Sequence, residues 1–428
     1  MAIPQEITDR TKWLLHDRFG MFIHWGLYAI PARGEWVRNK ESITIEDYQK
    51  YFDAFDPIDY NPKEWAKLAK QAGMKYAVLT TKHHDGFCLF DSKYTYYKAT
   101  NTKAKRDLVR EYVDAFKAEG LKVGFYYSLL DWHHDGYPVY GDRAHPMRNN
   151  DEYKNTERNF SIYIEYLHNQ IYELMTNYGK IDLLWFDYSY DDMTDEKWEA
   201  TKLVTMIREM QPDIILNNRL VIQENTPVGS TMYAGDFVSP EQIIPPEGML
   251  DDQGDPLPWE ACITLNNHWG YCREDKNYKN PREVIRMLVE CVSKNGNLLL
   301  NVGPDARGNI TKESIDILKE VGKWIKANGE SIYGCGAAKD MPKPDWGRYT
   351  KNGKKLYAHL FERGIGTIVL PELADKLKSA KLLSDYSEVN LSKPWYSHFA
   401  DGNHAFMQLT ESAQLPDEND TVVELELL

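Results

Sequence analysis

The chain has 428 residues, 42% of them hydrophobic and 27% charged, and its formal net charge is −14. These values are ordinary for a globular protein, and the length suits one large domain followed by a smaller one. The negative charge argues against nucleic acid or an anionic membrane surface as a partner, because both would repel it.

The cysteines and the first residues give two further expectations. Residues 1–10 lack a basic segment followed by an apolar one, and no apolar run approaches the roughly 18 residues of a membrane span. The sequence as given therefore predicts a cytoplasmic protein, or a secreted, periplasmic or lysosomal one if a signal has been trimmed. Reduced thiols without a zinc site are expected, since no C-x-x-C spacing occurs among Cys88, Cys262, Cys272, Cys291 and Cys335.

Strand and helix signals alternate along the first three quarters of the chain. Short apolar runs predict strands at 21–24, 75–81, 122–128, 181–187, 213–217 and 297–302. Apolar residues at helical spacing, with start and stop signals, predict helices at 61–72, 106–119, 152–178, 196–210, 281–294 and 311–328. One or two more strands are expected between 231 and 265. These repeated units predict an α/β fold, a (β/α)8-like (TIM) barrel with an irregular second half.

The character of the sequence changes after Gly329. Few helical patterns follow, and short alternating stretches such as 356–361 and 367–370 are separated by Gly, Pro and Asn. This pattern predicts a small C-terminal antiparallel β-sandwich. The predicted domains are a barrel of residues 1–335 and a β-sandwich of residues 336–428.

The candidate site is organised around the run IDLLWFD, residues 181–187. The run predicts a strand buried on both faces that ends in Asp187, although Asp187 could also simply cap the next helix. Parallel sheets place chemistry at the carboxyl ends of their strands. Other polar side chains follow predicted strands too, so we expect one shared site formed by His24, His83, His84, Tyr126, Asp187, Arg219 and the carboxylates of residues 236–260.

Three chemistries could use such a site. A metal site would need clustered imidazoles and carboxylates, but His83 and His84 are adjacent on an extended backbone, and neither H-x-H nor H-E-x-x-H occurs. A phosphate site would need a glycine-rich loop, and none is convincing. A glycosidase needs two carboxylates flanking an anomeric carbon. The 12 Trp and 28 Tyr suit a sugar-binding cleft, because flat amphipathic rings stack on sugar faces.

The chain also resembles a known family in six motifs that occur in the family's order. They span residues 19–36, 82–87, 124–133, 183–188, 258–271 and 295–308, reading FGMFIHWGLYAIPARGEW, KHHDGF, GFYYSLLDWH, LLWFDY, PWEACITLNNHWGY and NGNLLLNVGPDARG. These motifs are similar to those of the α-L-fucosidases of glycoside hydrolase family 29. The resemblance covers the barrel from about residue 8 to about residue 335, and the C-terminal part matches only in position and length.

The resemblance implies a retaining mechanism without metal or cofactor. Asp187 would be the nucleophile that forms a covalent fucosyl-enzyme. Trp185 and Trp269 would offer apolar surface to the methyl group of a 6-deoxy sugar, where an added hydroxyl would be buried without a partner. The full set of residues expected to bind the sugar is His24, Glu35, Trp36, His83, His84, Tyr126, Trp185, Arg219 and Trp269.

The acid/base carboxylate is assigned among three candidates. Glu241 is favoured because it follows an aromatic Gly/Asp segment and precedes a proline, in YAGDFVSPEQIIP. Glu247 and Glu260 are the alternatives, and Glu260 could instead be a buried carboxylate that braces the loop. In a retaining site the chosen residue should lie roughly 5 to 5.5 Å from Asp187 in the productive complex.

The predicted function is that of an exo-acting α-L-fucosidase that removes terminal fucose from oligosaccharides or glycoconjugates. Two alternatives are a catalytically inactive fucose-binding protein on the same fold and a metal-dependent barrel hydrolase. The expected partner is a fucosylated oligosaccharide or glycoconjugate, with no nucleic acid and no membrane. A homo-oligomer is compatible with the sequence.

Overall fold

The computed structural model describes residues 3–222, 226–363, 366–399, 402–409 and 414–428. The expectation about an export signal concerned residues 1–10, and two of these, Met1 and Ala2, lie outside the described residues. The α-helices in these ranges are α1 Gln5–Asp17, α2 Val37–Lys40, α3 Ile45–Ala54, α4 Pro62–Gln71, α5 Leu108–Ala118, α6 Phe160–Asn177, α7 Ala200–Met210, α8 Pro281–Val292 and α9 Lys312–Asn328. The strands are β1 Phe19–Ile23, β2 Tyr76–Lys82, β3 Lys122–Ser128, β4 Leu183–Asp187, β5 Ile215–Leu216, β6 Glu260–Thr264, β7 Asn297–Val302, β8 Gly336–Ala337, β9 Gly347–Asn352, β10 Lys355–Leu360, β11 Ile368–Leu370, β12 Leu377–Leu382, β13 Asn390–Leu391, β14 Ala405–Gln408 and β15 Thr421–Leu427.

Strands β1 to β7 form one parallel sheet in the order β5-β4-β3-β2-β1-β7-β6. Nearly every residue of these strands is buried, as the continuous apolar runs predict for a sheet covered on both faces. The predicted parallel α/β arrangement is therefore confirmed. Its carboxyl ends meet at one edge, where β1 leads into His24, β2 into His83 and β4 ends in Asp187.

Amphipathic helices cover the sheet, and local signals fix where they begin. Asn280 and Glu283 form a capping box at the start of α8, with Pro281 in its first turn. Asp107 caps α5 by accepting a hydrogen bond from the backbone of Arg110. The apolar sides of these helices join the strands in the main hydrophobic core.

The edge strands β5 and β6 are connected through residues 237–241. Isolated parallel bridges pair Asn217 with Phe237, Val238 with Trp259 and Glu241 with Cys262. The predicted additional strand between 231 and 265 is confirmed as β6, and residues 237–241 contribute single bridges rather than a second strand.

The last part of the chain forms two antiparallel sheets among the described residues. One has the order β12-β15-β10-β9-β8, and the other has the order β11-β14-β13. Apolar residues from both sheets share a second hydrophobic cluster, in which Leu356 and Leu425 lie with Leu370 and Met407. The prediction of antiparallel structure after Gly329 is confirmed.

Hydrogen bonds attach these sheets to helices α8 and α9. The Trp324 indole donates to the Asp420 carbonyl at 2.8 Å, and Arg286 donates to the Phe361 carbonyl at 2.6 Å. Arg348 also forms an ion pair with Glu290 of α8. Across the described ranges, no helix is both long and apolar enough to cross a bilayer.

Several predicted elements are shorter in the structure than the sequence pattern indicated, and two of them have a clear local cause. The helix predicted at 152–178 begins at Phe160, because Asn159 caps it and the preceding residues are polar. The strand predicted at 213–217 is reduced to Ile215–Leu216, since the side chain of Asn217 replaces the ladder there by accepting from the backbone of Phe186 at 2.9 Å. Helices α1, α2 and α3 were not predicted.

Candidate active site

A cavity of about 660 Å³ opens at the carboxyl edge of the parallel sheet. It brings together most of the residues that the sequence analysis expected to share a site. Those that line it are His24, Trp36, His83, His84, Tyr126, Trp185, Asp187, Arg219, Glu241 and Trp269. Glu35, Glu247 and Glu260 do not belong to its lining.

Asp187 is held at the end of β4 by two strong hydrogen-bond donors. The Tyr126 hydroxyl donates to Oδ2 at 2.8 Å, and Arg219 Nη1 donates to Oδ1 at 2.8 Å. Nε2 of His84 lies 3.8 Å from Oδ2. Burial and the charge of Asp187 keep the pKa of Tyr126 well above its ordinary value, so the phenol stays protonated and can only donate to the carboxylate.

Arg219 joins the two carboxylates of the cavity. The same nitrogen, Nη1, that contacts Asp187 also donates to Oε2 of Glu241 at 2.9 Å. The guanidinium carbon lies 4.4 Å from the centre of the Trp185 ring, and Nη2 donates to the Ser239 carbonyl. Burial is the largest single influence and would lower the pKa of Arg219, but the negative charges of Asp187 and Glu241 and the hydrogen bond to Glu241 together raise that pKa. Arg219 is therefore a fixed positive charge between two acids.

Glu241 is anchored by the backbone around it. Cys262 of β6 donates its amide to the Pro240 carbonyl at 3.1 Å, and Gln242 donates its amide to the Cys262 carbonyl at 3.0 Å. The Glu241 side chain is 44% exposed, whereas that of Asp187 is 13% exposed. One carboxylate thus lies deep in the cavity, and the other lies at its mouth.

Three imidazoles form the floor of the cavity and are neutral. Burial lowers the pKa of His24 to about 3. Burial, with the positive charges of Lys82 and Arg219, lowers the pKa of His84 to about 3. The pKa of His83 is also lowered well below its ordinary value by burial and the neighbouring imidazoles. Neutral imidazoles can both donate and accept hydrogen bonds, which suits sugar hydroxyls.

Hydrogen bonds orient two of these rings. Nδ1 of His24 lies 2.7 Å from Oδ1 of Asn301, and Nδ1 of His84 lies 2.6 Å from the Ser128 hydroxyl. Nδ1 of His83 is buried and has no hydrogen-bond partner among the described residues. A buried polar atom of this kind calls for a ligand or water partner.

Aromatic rings form the remaining wall. Phe22 contacts the rings of Trp185 and Trp269 at centroid distances of 5.2 and 5.9 Å. Trp36 packs edge-on against His84 at 5.0 Å. This apolar surface lies beside the neutral imidazoles, so the cavity has polar and apolar sides, as a sugar does.

Glu35 and Glu260 have other surroundings. Glu35 accepts a hydrogen bond from the Gly270 amide at 2.8 Å and so braces the loop that carries Trp269. A Cβ at Gly270 would lie 2.7 Å from the Tyr28 ring, which explains glycine there. Glu260 begins β6, at the amino end of the sheet, and accepts a hydrogen bond from Tyr76 at the start of β2. Burial raises the pKa of Glu260 to about 7.

Several residues of the site were not singled out from the sequence. Asn301 orients His24, and its amide also donates to the Trp269 carbonyl at 2.7 Å. Asn301 lies in the motif NGNLLLNVGPDARG and is the penultimate residue of the strand pattern at 297–302. That position is the signal that could have found it. Arg143, Tyr188, Tyr190, Asp191 and Cys262 also line the cavity.

Hydrolysis of a glycosidic bond needs two carboxylates on either side of a sugar ring and a surface that holds its hydroxyls. The parallel sheet presents these groups at its carboxyl edge, where α/β folds carry their chemistry. Fold and site together therefore define a glycoside hydrolase. No arrangement of three or more His, Cys, Asp or Glu suited to a metal ion occurs within the ranges that the structure describes.

Comparison with known proteins identifies the family. The family model for α-L-fucosidase matches residues 4–330. Human plasma α-L-fucosidase is 31% identical over 374 residues, which cover 82% of this chain and 75% of that protein. The chain belongs to the α-L-fucosidase family, glycoside hydrolase family 29.

Two solved structures extend this similarity to nearly the whole chain. α-L-Fucosidase isoenzyme 1 from Paenibacillus thiaminolyticus superposes with a TM-score of 0.96 at 61% identity, covering 99% of this chain and 100% of that one. A Bacteroides thetaiotaomicron α-L-fucosidase, trapped as a covalent intermediate with 2-fluoro-fucosyl fluoride, has a TM-score of 0.84 at 30% identity and covers 98% and 96%.

Proposed function

We propose that this chain is an exo-acting α-L-fucosidase that removes terminal fucose from oligosaccharides or glycoconjugates with retention of configuration. In this proposal Asp187 is the nucleophile and Glu241 is the acid/base. The covalent intermediate captured in the Bacteroides relative supports the retaining course.

The observation that carries the proposal is the shared contact of Arg219. Its Nη1 lies 2.8 Å from Asp187 Oδ1 and 2.9 Å from Glu241 Oε2. Because both oxygens contact the same nitrogen, they can be at most about 5.7 Å apart, the value if the three atoms lay on one line. Retaining glycosidases hold their carboxyl groups about 5 to 5.5 Å apart, whereas inverting enzymes need roughly 6.5 to 9.5 Å to admit a water molecule. The geometry favours retention.

In the first step, Asp187 Oδ1 or Oδ2 attacks C1 of the fucosyl group as the bond from C1 to the leaving oxygen breaks. Glu241 gives its proton to that oxygen, so the aglycone leaves as a neutral alcohol. Positive charge develops on the sugar ring in the transition state, and the fixed carboxylate beneath C1 stabilises it without reorganisation.

In the second step, Glu241 removes a proton from water as the water oxygen attacks C1. The bond from C1 to Asp187 breaks, and its electron pair returns to the carboxylate. Hydrogen bonds from the protonated Tyr126 hydroxyl and from Arg219 stabilise the negative charge that Asp187 regains. Fucose is released with its original anomeric configuration because each displacement inverts C1 once.

The sugar hydroxyls are proposed to bind His24, His83 and His84. The unpartnered Nδ1 of His83 supports this assignment, since a bound hydroxyl would satisfy it. Trp185 and Trp269 would face the C5 methyl group, with Phe22 behind them. Glu35 supports the Trp269 loop rather than the sugar, and Trp36 contributes to the wall next to His84.

Glu241 is preferred over the other two acids on position. Glu260 is fully buried at the amino end of the sheet and bonded to Tyr76, so it cannot reach a sugar at the opposite edge. Glu247 is exposed and does not line the cavity. Only Glu241 of the three shares a contact with Asp187, through Arg219.

We further propose that residues 237–241 close the parallel sheet into an irregular (β/α)8-like barrel. The bridges from Asn217 to Phe237 and from Val238 to Trp259 support closure, because they connect the two edge strands. The antiparallel sheets that share the second hydrophobic cluster would form the C-terminal β-sandwich, and the proposed domains are 1–335 and 336–428.

The test is Asp187→Gly with azide rescue, using 4-nitrophenyl α-L-fucoside. The wild-type chain should release 4-nitrophenol, before and after treatment with a chelator, and the variant should lose this activity. Azide should restore turnover in the variant and yield β-fucosyl azide, because the small anion occupies the space of the carboxylate. Fucose binding by the wild type without turnover would instead identify an inactive fucose-binding protein.

A further inference from the structure

Two loops form a polar wall at the mouth of the cavity. Arg143 belongs to the loop after β3, and Asp191 belongs to the loop after β4; both line the cavity. Their side chains form an ion pair with 3.3 Å between Nη1 and Oδ1, and the pair is 60% and 56% exposed. By contrast, His24, His83 and His84 are buried. The pair therefore lies outside the space that a bound fucosyl group would occupy.

Two tyrosines behind the wall, Tyr137 and Tyr190, hold it in place. The Arg143 guanidinium lies 5.2 Å from the centre of the Tyr190 ring, and the Tyr190 hydroxyl donates to Asp142, the residue before Arg143. The hydroxyl of Tyr137 lies 3.1 Å from that of Tyr190, and both tyrosines are buried. These contacts tie the two loops together and hold the Arg143 guanidinium within cation–π distance of the Tyr190 ring.

The backbone of the second loop has an unfavourable conformation. Tyr188 and Asp191 have φ angles of 81° and 49°, in the region that favours glycine. Reciprocal backbone hydrogen bonds between Tyr190 and Met193 maintain the turn. Such strain persists where the surrounding structure enforces it, and it occurs often in loops that clamp ligands.

The cavity is larger than one deoxyhexose requires. Its volume of about 660 Å³ falls within the range of roughly 300–1,000 Å³ for sites that enclose drug-sized ligands, and a single fucosyl group is smaller than such ligands. We propose that Arg143 and Asp191 form a binding subsite for the leaving group, and that the subsite takes a neutral sugar residue. This inference rests on the proposed function.

The charges that line the cavity indicate the class of leaving group. Arg143 and Arg219 carry positive charge, whereas Asp187, Asp191 and Glu241 are acidic, and both cations already have a carboxylate partner. With Glu241 protonated for the first step, the charges of Arg143 and Arg219 are balanced by those of Asp191 and Asp187, so neither of these cations is left unpaired for a sulfated or carboxylated sugar. A guanidinium beside a carboxylate offers donors and acceptors together, which match a pair of neighbouring sugar hydroxyls.

The experiment compares two substrates that differ only in the leaving group. α-L-Fucosyl fluoride releases fluoride, which makes no contact with the wall, whereas a fucosyl disaccharide with a neutral reducing sugar fills the subsite. For Arg143→Ala, we expect kcat/KM on the disaccharide to fall about tenfold further than kcat/KM on the fluoride, as the loss of one charge-assisted hydrogen bond predicts. Arg282→Ala is the matched control, since Arg282 forms an exposed pair with Glu418 away from the cavity.

A second measurement follows transfer to an acceptor. With fucosyl fluoride as donor and the neutral sugar as acceptor, Arg143→Ala should lower the ratio of transfer product to free fucose. Asp191→Asn, which preserves side-chain volume, should change both readouts in the same direction and provides the test if Arg143→Ala does not fold.

Equal losses on the two substrates, or an unchanged transfer ratio in both variants, would overturn the subsite. A variant that loses more on a neutral disaccharide than on a sulfated one supports it, and the reverse order contradicts the neutral class. Absence of fluoride hydrolysis in the wild-type chain would refute the proposed function itself, and this outcome is distinct from the others.

Discussion

Tyr126 donates its phenolic hydrogen to Oδ2 of Asp187 at 2.8 Å. Asp187 ends strand β4, and Tyr126 lies two residues before the end of the neighbouring strand β3. The phenol cannot take the role of an acceptor here, because burial and the carboxylate keep its pKa well above the ordinary value. In the proposed mechanism it therefore stabilises Asp187 most when the carboxylate regains its charge, which is when the covalent intermediate breaks down.

Tyr126→Phe should slow this second step. A hydrogen bond to a charged group contributes about 1.5–3 kcal/mol, so we expect breakdown of the intermediate to slow by about ten- to a hundredfold. Pre-steady-state release of 4-nitrophenol should then show a burst before a slow steady state. An unchanged steady-state rate would contradict this role.

Glu241→Gln should affect substrates according to their leaving group. The variant retains the hydrogen bond to Arg219 but has no proton to give, and general acid catalysis contributes about 10²–10⁴-fold. We expect a loss of this size in kcat/KM for a fucosyl disaccharide and a much smaller loss for an aryl fucoside whose phenol leaves readily. Glu260→Gln is the matched comparison, and a larger loss there would overturn the assignment.

Ionisation of Glu260 should make the folded protein less stable as the pH rises through neutrality. Its folded pKa is raised to about 7 from the ordinary 4.5, so its contribution to stability is fully present below about 4.5 and is lost as the pH rises through about 7. The loss is on the order of 3 kcal/mol above that range. Glu260→Gln can still accept from Tyr76 but does not ionise.

Denaturant unfolding of both proteins at several pH values checks this prediction. The free energy of unfolding of Glu260→Gln, relative to the wild type, should increase between pH 5 and pH 8. A difference that does not vary with pH would mean that folding does not raise the pKa of Glu260.

Asn301→Ala should weaken sugar binding more than chemistry. The substitution removes the partner of His24 Nδ1 and the donor to the Trp269 carbonyl, so two groups expected to face the sugar lose their orientation. We expect KM to rise about tenfold, the effect of losing roughly one hydrogen bond, with a smaller change in kcat. Asn309→Ala is the control, because Asn309 is an exposed asparagine that donates a hydrogen bond to Asp59. An equal effect of both variants on KM would count against the role of Asn301.

The parallel fold was predictable because its strands are buried on both faces and so read as continuous apolar runs. The run 181–187 placed Asp187 at the end of a strand, and the structure has β4 ending there. Residues 237–241 gave no comparable signal, since single bridges need no periodic pattern. The start of α6 was also missed, because a cap by Asn159 changes the boundary without changing the apolar spacing.

The site was predictable where one residue follows one strand. The parts of the site that depend on contacts between distant segments of the chain were harder to predict. Arg143 and Asp191 pair across two loops, and neither loop has a spacing that predicts the other. Glu35 lies in a motif next to Trp36, yet its carboxylate turns to the Gly270 amide, which local sequence does not encode.

Strand β15, residues Thr421–Leu427, lies inside the five-stranded sheet, between β12 and β10. Its position means that the ribosome must translate the final strand before the sheet can assemble, long after residues of the parallel sheet have been synthesised. Until β15 has been synthesised, the nascent chain therefore exposes an unpaired edge of β10, the strand that carries Leu356 and Leu360. During that interval the open edge can pair with another chain, which is a route to aggregation.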